Sequence, residues 1–301
     1  MGKISAVINV VEEEIGVLPR ALASVRNLVD EIVLVDMTSS GRLFQATKEN
    51  GVKIIKHDRV PYVEVVRNFG ISKADSDWIL ILDPDEEVPK ILADKIRRLS
   101  ASTDSSDYYR LPRKNIIFGK WIKHSRWWPD YNIRFFRKGH VSWNEIIHAV
   151  PVTSGKGGDL ESKEENALVH YHYESIEQYI ERMNRYTTAL SQNKVADGYE
   201  FNWRDIIRRP AGEFFSRYFQ GEGYKDGLHG LVLPGLQAFS ELITYLKIWQ
   251  KDKFENFHAD IEEITKEMKG VESDFHYWQA DALLKEVGGI KHRIKRKFRL
   301  S

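Results

Sequence analysis

The chain has no cysteine. Disulfides and thiolate metal sites are therefore excluded, a composition compatible with a reducing cytosol, and any bound metal must be held by oxygen or imidazole. Net charge is nearly absent as well: 45 basic against 44 acidic side chains leave +1. No global field argues for nucleic acid or for an acidic substrate, so local clusters must carry the information. Long apolar runs are missing too. The run in MGKISAVINVVEEE is too short for a signal peptide and meets three glutamates. The most apolar later segment, Leu231 to Leu246, contains Pro234 and Glu241 and falls short of the ~20 residues that cross a bilayer. No transmembrane helix is expected. What is present, 301 residues at 42% hydrophobic content, suffices for one α/β domain with a substantial extension.

ISAVINVV (4–11), EIVLVD (31–36), VKIIKHD (52–58) and WILILD (78–83) are short Ile- and Val-rich runs, the pattern of strands buried on both faces. Helical segments such as LPRALASVRNL, SSGRLFQATKENG and VEVVRNFGISKA alternate with them. That order predicts a mainly parallel sheet with helices on both sides. Pro89 opens a further helix, KILADKIRRLS. Beyond Asp107 strand-like segments return, with Lys138-Gly139 read as a hairpin turn, 154–166 as a polar loop and LVHYHY as a last strand. Ser175 and Gln178 form a capping-box start for a helix running toward Asn193. The expected division is an α/β catalytic domain over 1–195 and a helical region over 196–301.

WILILDPDEEVP (78–89) gathers four carboxylates, Asp83, Asp85, Glu86 and Glu87, in a strand-to-helix turn. Ligands of open parallel sheets bind at the carboxyl ends of the strands, so this turn points at the site. Asp83 and Asp85 are candidate oxygen ligands for Mg²⁺ or Mn²⁺, cations that complete their shell with water and phosphate. Glu86 and Glu87 are read as complements to the following helix dipole. Asp36 ends its strand where an acidic residue can accept hydrogen bonds from a ribose or base, or can cap a helix. Arg67 and Asn68 precede the Asp83 strand; the Arg67 guanidinium suits a diphosphate, or a helix surface.

The succession ISAVINVVEEE, EIVLVD, VVRNFGISKADSDWILILDPDEEVP and RWWPDYNIRFFRKG resembles the family 2 glycosyltransferases of GT-A fold, especially the bacterial group that extends lipopolysaccharide cores and other cell-surface glycans. The resemblance spans roughly residues 3 to 190 of the 301. It implies that Asp36 contacts the nucleoside, that Asp83 contacts ribose or sugar, that Asp85 binds a divalent metal bridging the diphosphate, and that transfer inverts the anomeric carbon. Val10-Val11-Glu12 stands where the group has a Lys-Asn-Glu-like motif, leaving Glu12 as the candidate nucleoside contact there. MTSSG follows without the usual aspartate, and His148-Ala149 replaces a His-Glu pair.

Inversion needs a base for the acceptor hydroxyl. Asp130, between aromatics in WWPDYN, ranks ahead of Glu145 in SWNEIIH. His148 is a candidate metal ligand, diphosphate contact or core residue; His170 and His172 should share one strand face, opposite Tyr171. Trp127, Trp128 and Trp143 are either acceptor platforms or core. In the last third, Leu236, Phe239, Ile243 and Leu246 repeat at helical spacing and must be buried on the catalytic domain, on a second subunit of a homo-oligomer, or in a membrane interface. The basic tail IKHRIKRKFRLS is read as favouring anionic lipid, or else as a solvated basic end.

The expected function is a metal-dependent inverting glycosyltransferase, peripheral at the cytoplasmic face of the membrane. It would take a nucleotide-sugar donor, UDP-linked by preference, and a glycolipid or polysaccharide acceptor, with no nucleic-acid partner. Its rivals are an aspartyl-phosphate phosphatase and a catalytically degenerate GT-A fold retained as a membrane-associated scaffold.

Overall fold

The computed structural model describes residues 2–43, 51–60, 62–144 and 150–300. In chain order the elements are β1 (Ile4–Val10), α1 (Leu18–Val25), β2 (Glu31–Asp36), β3 (Val52–Lys56), α2 (Glu64–Ser72), β4 (Trp78–Ile81), β5 (Glu86–Glu87), α3 (Lys90–Ala101), β6 (Tyr108–Ile117), β7 (Lys120–Trp121) and β8 (Asp130–Arg137). They continue with β9 (Val141–Ser142), β10 (Val152–Thr153), β11 (Gly157–Asp159), β12 (Leu168–Tyr173), α4 (Ile176–Ala196), α5 (Asp205–Phe215), α6 (Leu228–Lys251), α7 (Ile261–Glu286) and α8 (Ile290–Phe298).

The main sheet runs β3-β2-β1-β4-β8-β6-β12-β5. Its first four strands are parallel, and β8 joins β4 antiparallel. Along β1, Ile4, Ala6, Ile8 and Val10 face α1 and α3 in one apolar cluster, whereas Val7 faces Ile71 of α2 in another. The first four strands therefore read as unbroken apolar runs because both faces are covered. Each fully buried Val, Leu or Ile contributes ~1.5–3 kcal/mol. At Gly70 of α2 an added Cβ would stand 2.7 Å from Val7 Cγ1 and 3.0 Å from Val35 Cγ2. A side chain there would push the helix off the sheet. The mixed, partly parallel sheet flanked by helices is the expected α/β class.

Compact grouping gives one unit of Met1–Ile116 with Pro129–His172 and a second of Ile117–Trp128 with Tyr173–Ser301. The division thus falls at 172/173 instead of 195. Its reason is that α4 buries Tyr179 and Met183 with Leu233 of α6. In the same second unit, Tyr245, Ile248 and Trp249 of α6 pack with Phe201, Trp203 and Ile206. Leu233, Tyr245 and Ile248 of α6 are thus covered within its own unit, whereas Leu228, Leu231, Val232 and Phe239 stay exposed. The 117–128 excursion is held there by Asp226, whose Oδ2 accepts the N–H groups of Lys123 (3.1 Å) and His124 (2.8 Å).

Three local expectations change. Lys138-Gly139 is a turn, with Gly139 at φ +93°, but β9 pairs with β10 and not with β8. Residues 157–159 inside the expected loop are a strand, β11, parallel to β6. Glu86 lies on β5 and is fully buried, so it serves no exposed helix turn. β12 and the Ser175 cap of α4, with Gln178 N–H donating to Ser175 Oγ at 3.2 Å, are as read from the sequence.

Candidate active site

The site lies at the carboxyl ends of β2 and β4 in the first unit. There Asp83 closes the apolar run of β4, and two guanidiniums hold its carboxylate: Arg67 from α2 at 3.1 Å, and Arg134 from β8. Burial opposes the charge, but the two arginines outweigh it and keep the Asp83 carboxyl well below the usual carboxylate range. Arg134 also reaches Glu86 Oε1 at 2.6 Å, and Arg113 of β6 approaches the same oxygen at 3.3 Å. Glu86 Oε2 accepts the Asp83 N–H at 3.0 Å. The buried Glu86, the part-buried Asp83 and three arginines thus form one network in which each charge faces one of opposite sign, the condition under which burial of charge is tolerated.

A β-bulge supplies Arg134. Tyr109 lies opposite Phe135 while Arg110 lies opposite Ile133, so Arg134 is an extra residue of β8. Bulges re-aim side chains, and this one turns a guanidinium onto Asp83 and Glu86.

Asp130 lies opposite Arg113 in the ladder and receives both of its arms, Nε at 2.9 Å and Nη2 at 2.6 Å, with Asn115 Nδ2 at 3.2 Å. Burial raises its proton affinity; Arg113 and Asn115 more than reverse this and hold the carboxyl below its ordinary range. A base so held is weaker than a free aspartate. Because Asn115 donates its amide N–H to Asp130, its oxygen must accept from His170 Nδ1, 2.6 Å away. The other ring nitrogen of His170, Nε2, lies 3.5 Å from Asp85 Oδ1. The donor set, one carboxylate and one imidazole, fits Mn²⁺ or Mg²⁺ with water and phosphate completing the shell. Among the described residues no group of three such side chains gathers at a metal-binding spacing.

Asp36 ends β2 with its Oδ1 accepting the Thr38 N–H at 2.8 Å and its Oδ2 3.0 Å from Lys56 Nζ. Burial opposes ionisation there, and the contacts to Thr38 and Lys56 outweigh it, so its carboxyl is also lowered. Glu12 fastens the loop after β2: it accepts the N–H groups of Ser39 (3.1 Å) and Ser40 (3.3 Å) and the Arg42 guanidinium at 2.5 Å. Hydrogen bonds from Ser40 and Arg42 lower its carboxyl to about 2. Asn68 spends both halves of its amide on the backbone of Trp143, donating to the carbonyl at 2.7 Å and accepting the N–H at 2.9 Å. It anchors the Trp143 backbone. Trp143 itself is core, tilted against Phe136. Trp127 and Trp128 belong to the second unit, where Trp128 meets Trp121 edge-on at 5.2 Å. Glu145 and His148 lie outside the described residues.

The structure thus brings together Arg67, Asp83, Asp85 and Asp130. It adds Glu86, Arg113, Asn115, Arg134 and His170. His170 and His172 share a face, rings 4.5 Å apart, while Tyr171 turns the other way to Glu87 and Arg20. The missed residues left little signal: Arg113 and Asn115 sit with Lys114 in a run of three consecutive polar residues, which no strand period marks as inward-facing.

Comparison with known proteins gives a match to the family model described as glycosyl transferase family 2 over residues 5–155. An uncharacterized glycosyltransferase of Rickettsia felis is 28% identical over 82% of this chain and 90% of its own length. The lipopolysaccharide core biosynthesis glycosyltransferase LpsC of Rhizobium meliloti is 23% identical over 62% of this chain and 68% of its own. Among solved structures, S. aureus TarS 1-349 in complex with UDP aligns with 86% of this chain and 94% of that one at 12% identity and a TM-score of 0.45.

Proposed function

The chain belongs to glycosyl transferase family 2, and from that premise we propose a metal-dependent inverting transfer from a nucleotide-diphosphate sugar, UDP-linked by preference, to a lipid-linked or polysaccharide acceptor at the inner face of the membrane. The observation that carries the reading is the pairing of Asp85 with His170 beside an Asp83 that two arginines hold as a carboxylate. The lipopolysaccharide role in the name of LpsC supports the acceptor class.

Asp83 accepts a hydrogen bond from the donor's ribose or sugar, and Arg67 and Arg134 fix its orientation. Asp36 receives the nucleoside. Asp85 and His170 would hold the cation, whose chemistry is to neutralise the charge that develops on the leaving diphosphate. In the displacement the acceptor oxygen forms a bond to the anomeric carbon, the bond to phosphate breaks with its electron pair leaving on the diphosphate, and the hydroxyl proton passes to a carboxylate. Asp130 and Glu145 are the candidates for that proton. The Arg113 clamp lowers the affinity of Asp130 for it, so Glu145→Gln should cost the larger share of a ~10²–10⁴-fold general-base contribution.

The experiment is calorimetric titration with UDP and GDP in Mn²⁺, then in chelator. Metal-dependent UDP binding is expected, lost in Asp85→Ala and in His170→Ala with the melting temperature held. Binding that survives chelator and both substitutions would sink the metal-dependent mechanism.

A further inference from the structure

Helix α8 is amphipathic, yet it packs on α7 through its polar side. Arg296 Nη1 pairs with Asp281 Oδ1 at 2.8 Å and Arg299 Nη1 with Asp274 Oδ1 at 2.5 Å. Half a helical turn away, Ile290, Ile294 and Phe298 stand one above another, 75%, 47% and 61% exposed. A surface helix ordinarily turns such a stripe inward. Here the stripe faces away from α7.

Its borders are basic. Lys291 and Lys297 flank the stripe, Arg293 and Lys295 lie one step farther round, and among the described residues none of the four pairs with a carboxylate, in contrast to Arg296 and Arg299. No acidic residue follows Glu286 in the sequence. No helix of the described residues is long and apolar enough to cross a membrane, so the stripe is suited to lie on a bilayer and not to span it.

We propose that this face of α8 docks on an anionic phospholipid surface, with Ile290, Ile294 and Phe298 at the acyl boundary and Lys291 and Lys297 at the phosphates. A second copy of the chain is the weaker occupant, because a two-fold contact through the stripe would bring the same lysines together. Nucleic acid would meet three large apolar side chains at the centre of its contact. The inference rests on the functional reading above only in that a lipid-linked acceptor would lie in the same bilayer.

The test is co-sedimentation of the full chain with phosphatidylcholine vesicles, with and without phosphatidylglycerol, at low and high salt. Salt-sensitive binding to the anionic vesicles is expected. The pairs Ile290→Ser with Phe298→Ser and Lys291→Glu with Lys297→Glu should each weaken it by about tenfold or more. These positions are exposed, so melting temperatures should be unchanged. Equal sedimentation of wild type and both variants would overturn the proposal. A dimer in sedimentation velocity that Ile290→Ser with Phe298→Ser dissolves, or binding to RNA but not to vesicles, would also overturn it. UDP titration of the same preparations separates the two readings: vesicle binding without nucleotide binding leaves the surface standing and removes the catalytic role, and the reverse removes the surface alone.

Discussion

Two sets of ion pairs in this protein use the same chemistry with their guanidiniums at opposite ends of solvent exposure. Around Asp83 and Glu86 the guanidiniums of Arg67, Arg113 and Arg134 lie inside the first unit, with Arg134 and Glu86 sealed from water. Along α8, Arg296 and Arg299 meet Asp281 and Asp274 with the guanidiniums open to solvent. Water and salt screen the second set, and pairs of that kind contribute ~0–1 kcal/mol. In the first set Arg134 and Glu86 have only the members of their network for solvation, so their geometry is enforced by the penalty of leaving either alone. Pairing in the interior specifies arrangement; pairing at the surface holds a helix loosely in place.

The largest break in that contrast should come from Glu86→Ala. It leaves Arg134 and Arg113 short of a buried partner and should lower stability by about 3–5 kcal/mol, read by chemical denaturation. An effect under ~1 kcal/mol would place Glu86 with the surface pairs. The next effect is seen with pH. The folded-state pKa of Asp83 is depressed by Arg134 and Arg67 against the opposing effect of burial. Its contribution is therefore present above the ordinary aspartate value of ~3.9 and is lost as pH falls through the lower folded value. Melting temperature should drop more steeply below about pH 4 in the wild type than in Asp83→Asn, and parallel acid limbs would contradict the assignment. The smallest effect is expected for Arg296→Ala, under ~1 kcal/mol and reduced further by salt. A larger, salt-insensitive loss would show that α8 is held as an interior element.

The four parallel strands and the carboxylate turn were legible because burial on both faces writes Val and Ile without interruption, and EIVLVD was read residue for residue as β2. Asp83 and Asp85 were legible for the related reason that an acid ending such a run is conspicuous. Glu86 was misread because its burial depends on β12 pairing with β5, a contact between residues more than eighty apart. Arg134 was hidden by the bulge, since no periodic template expects an extra residue. The domain boundary moved to 172/173 because α4 shares its apolar face with α6, a partner the amphipathic pattern of α4 does not name. The segment 157–159 was taken for loop because Gly-Gly-Asp has no strand propensity of its own; its pairing with β6 supplies the conformation.

The bulge in β8 has a consequence for how this strand tolerates change of length. Without Arg134, Ile133 and Phe135 would be consecutive and would fall on opposite faces, as their two separate apolar clusters require. The ladder with β6 would then run without a break. Arg134 is in this sense a one-residue insertion into a strand whose register is complete without it. Removing this residue would spare the pairing of Phe135 and Phe136 and strip the site of a guanidinium. Insertion and deletion, more than substitution, are the changes by which such a strand could acquire or shed its chemistry.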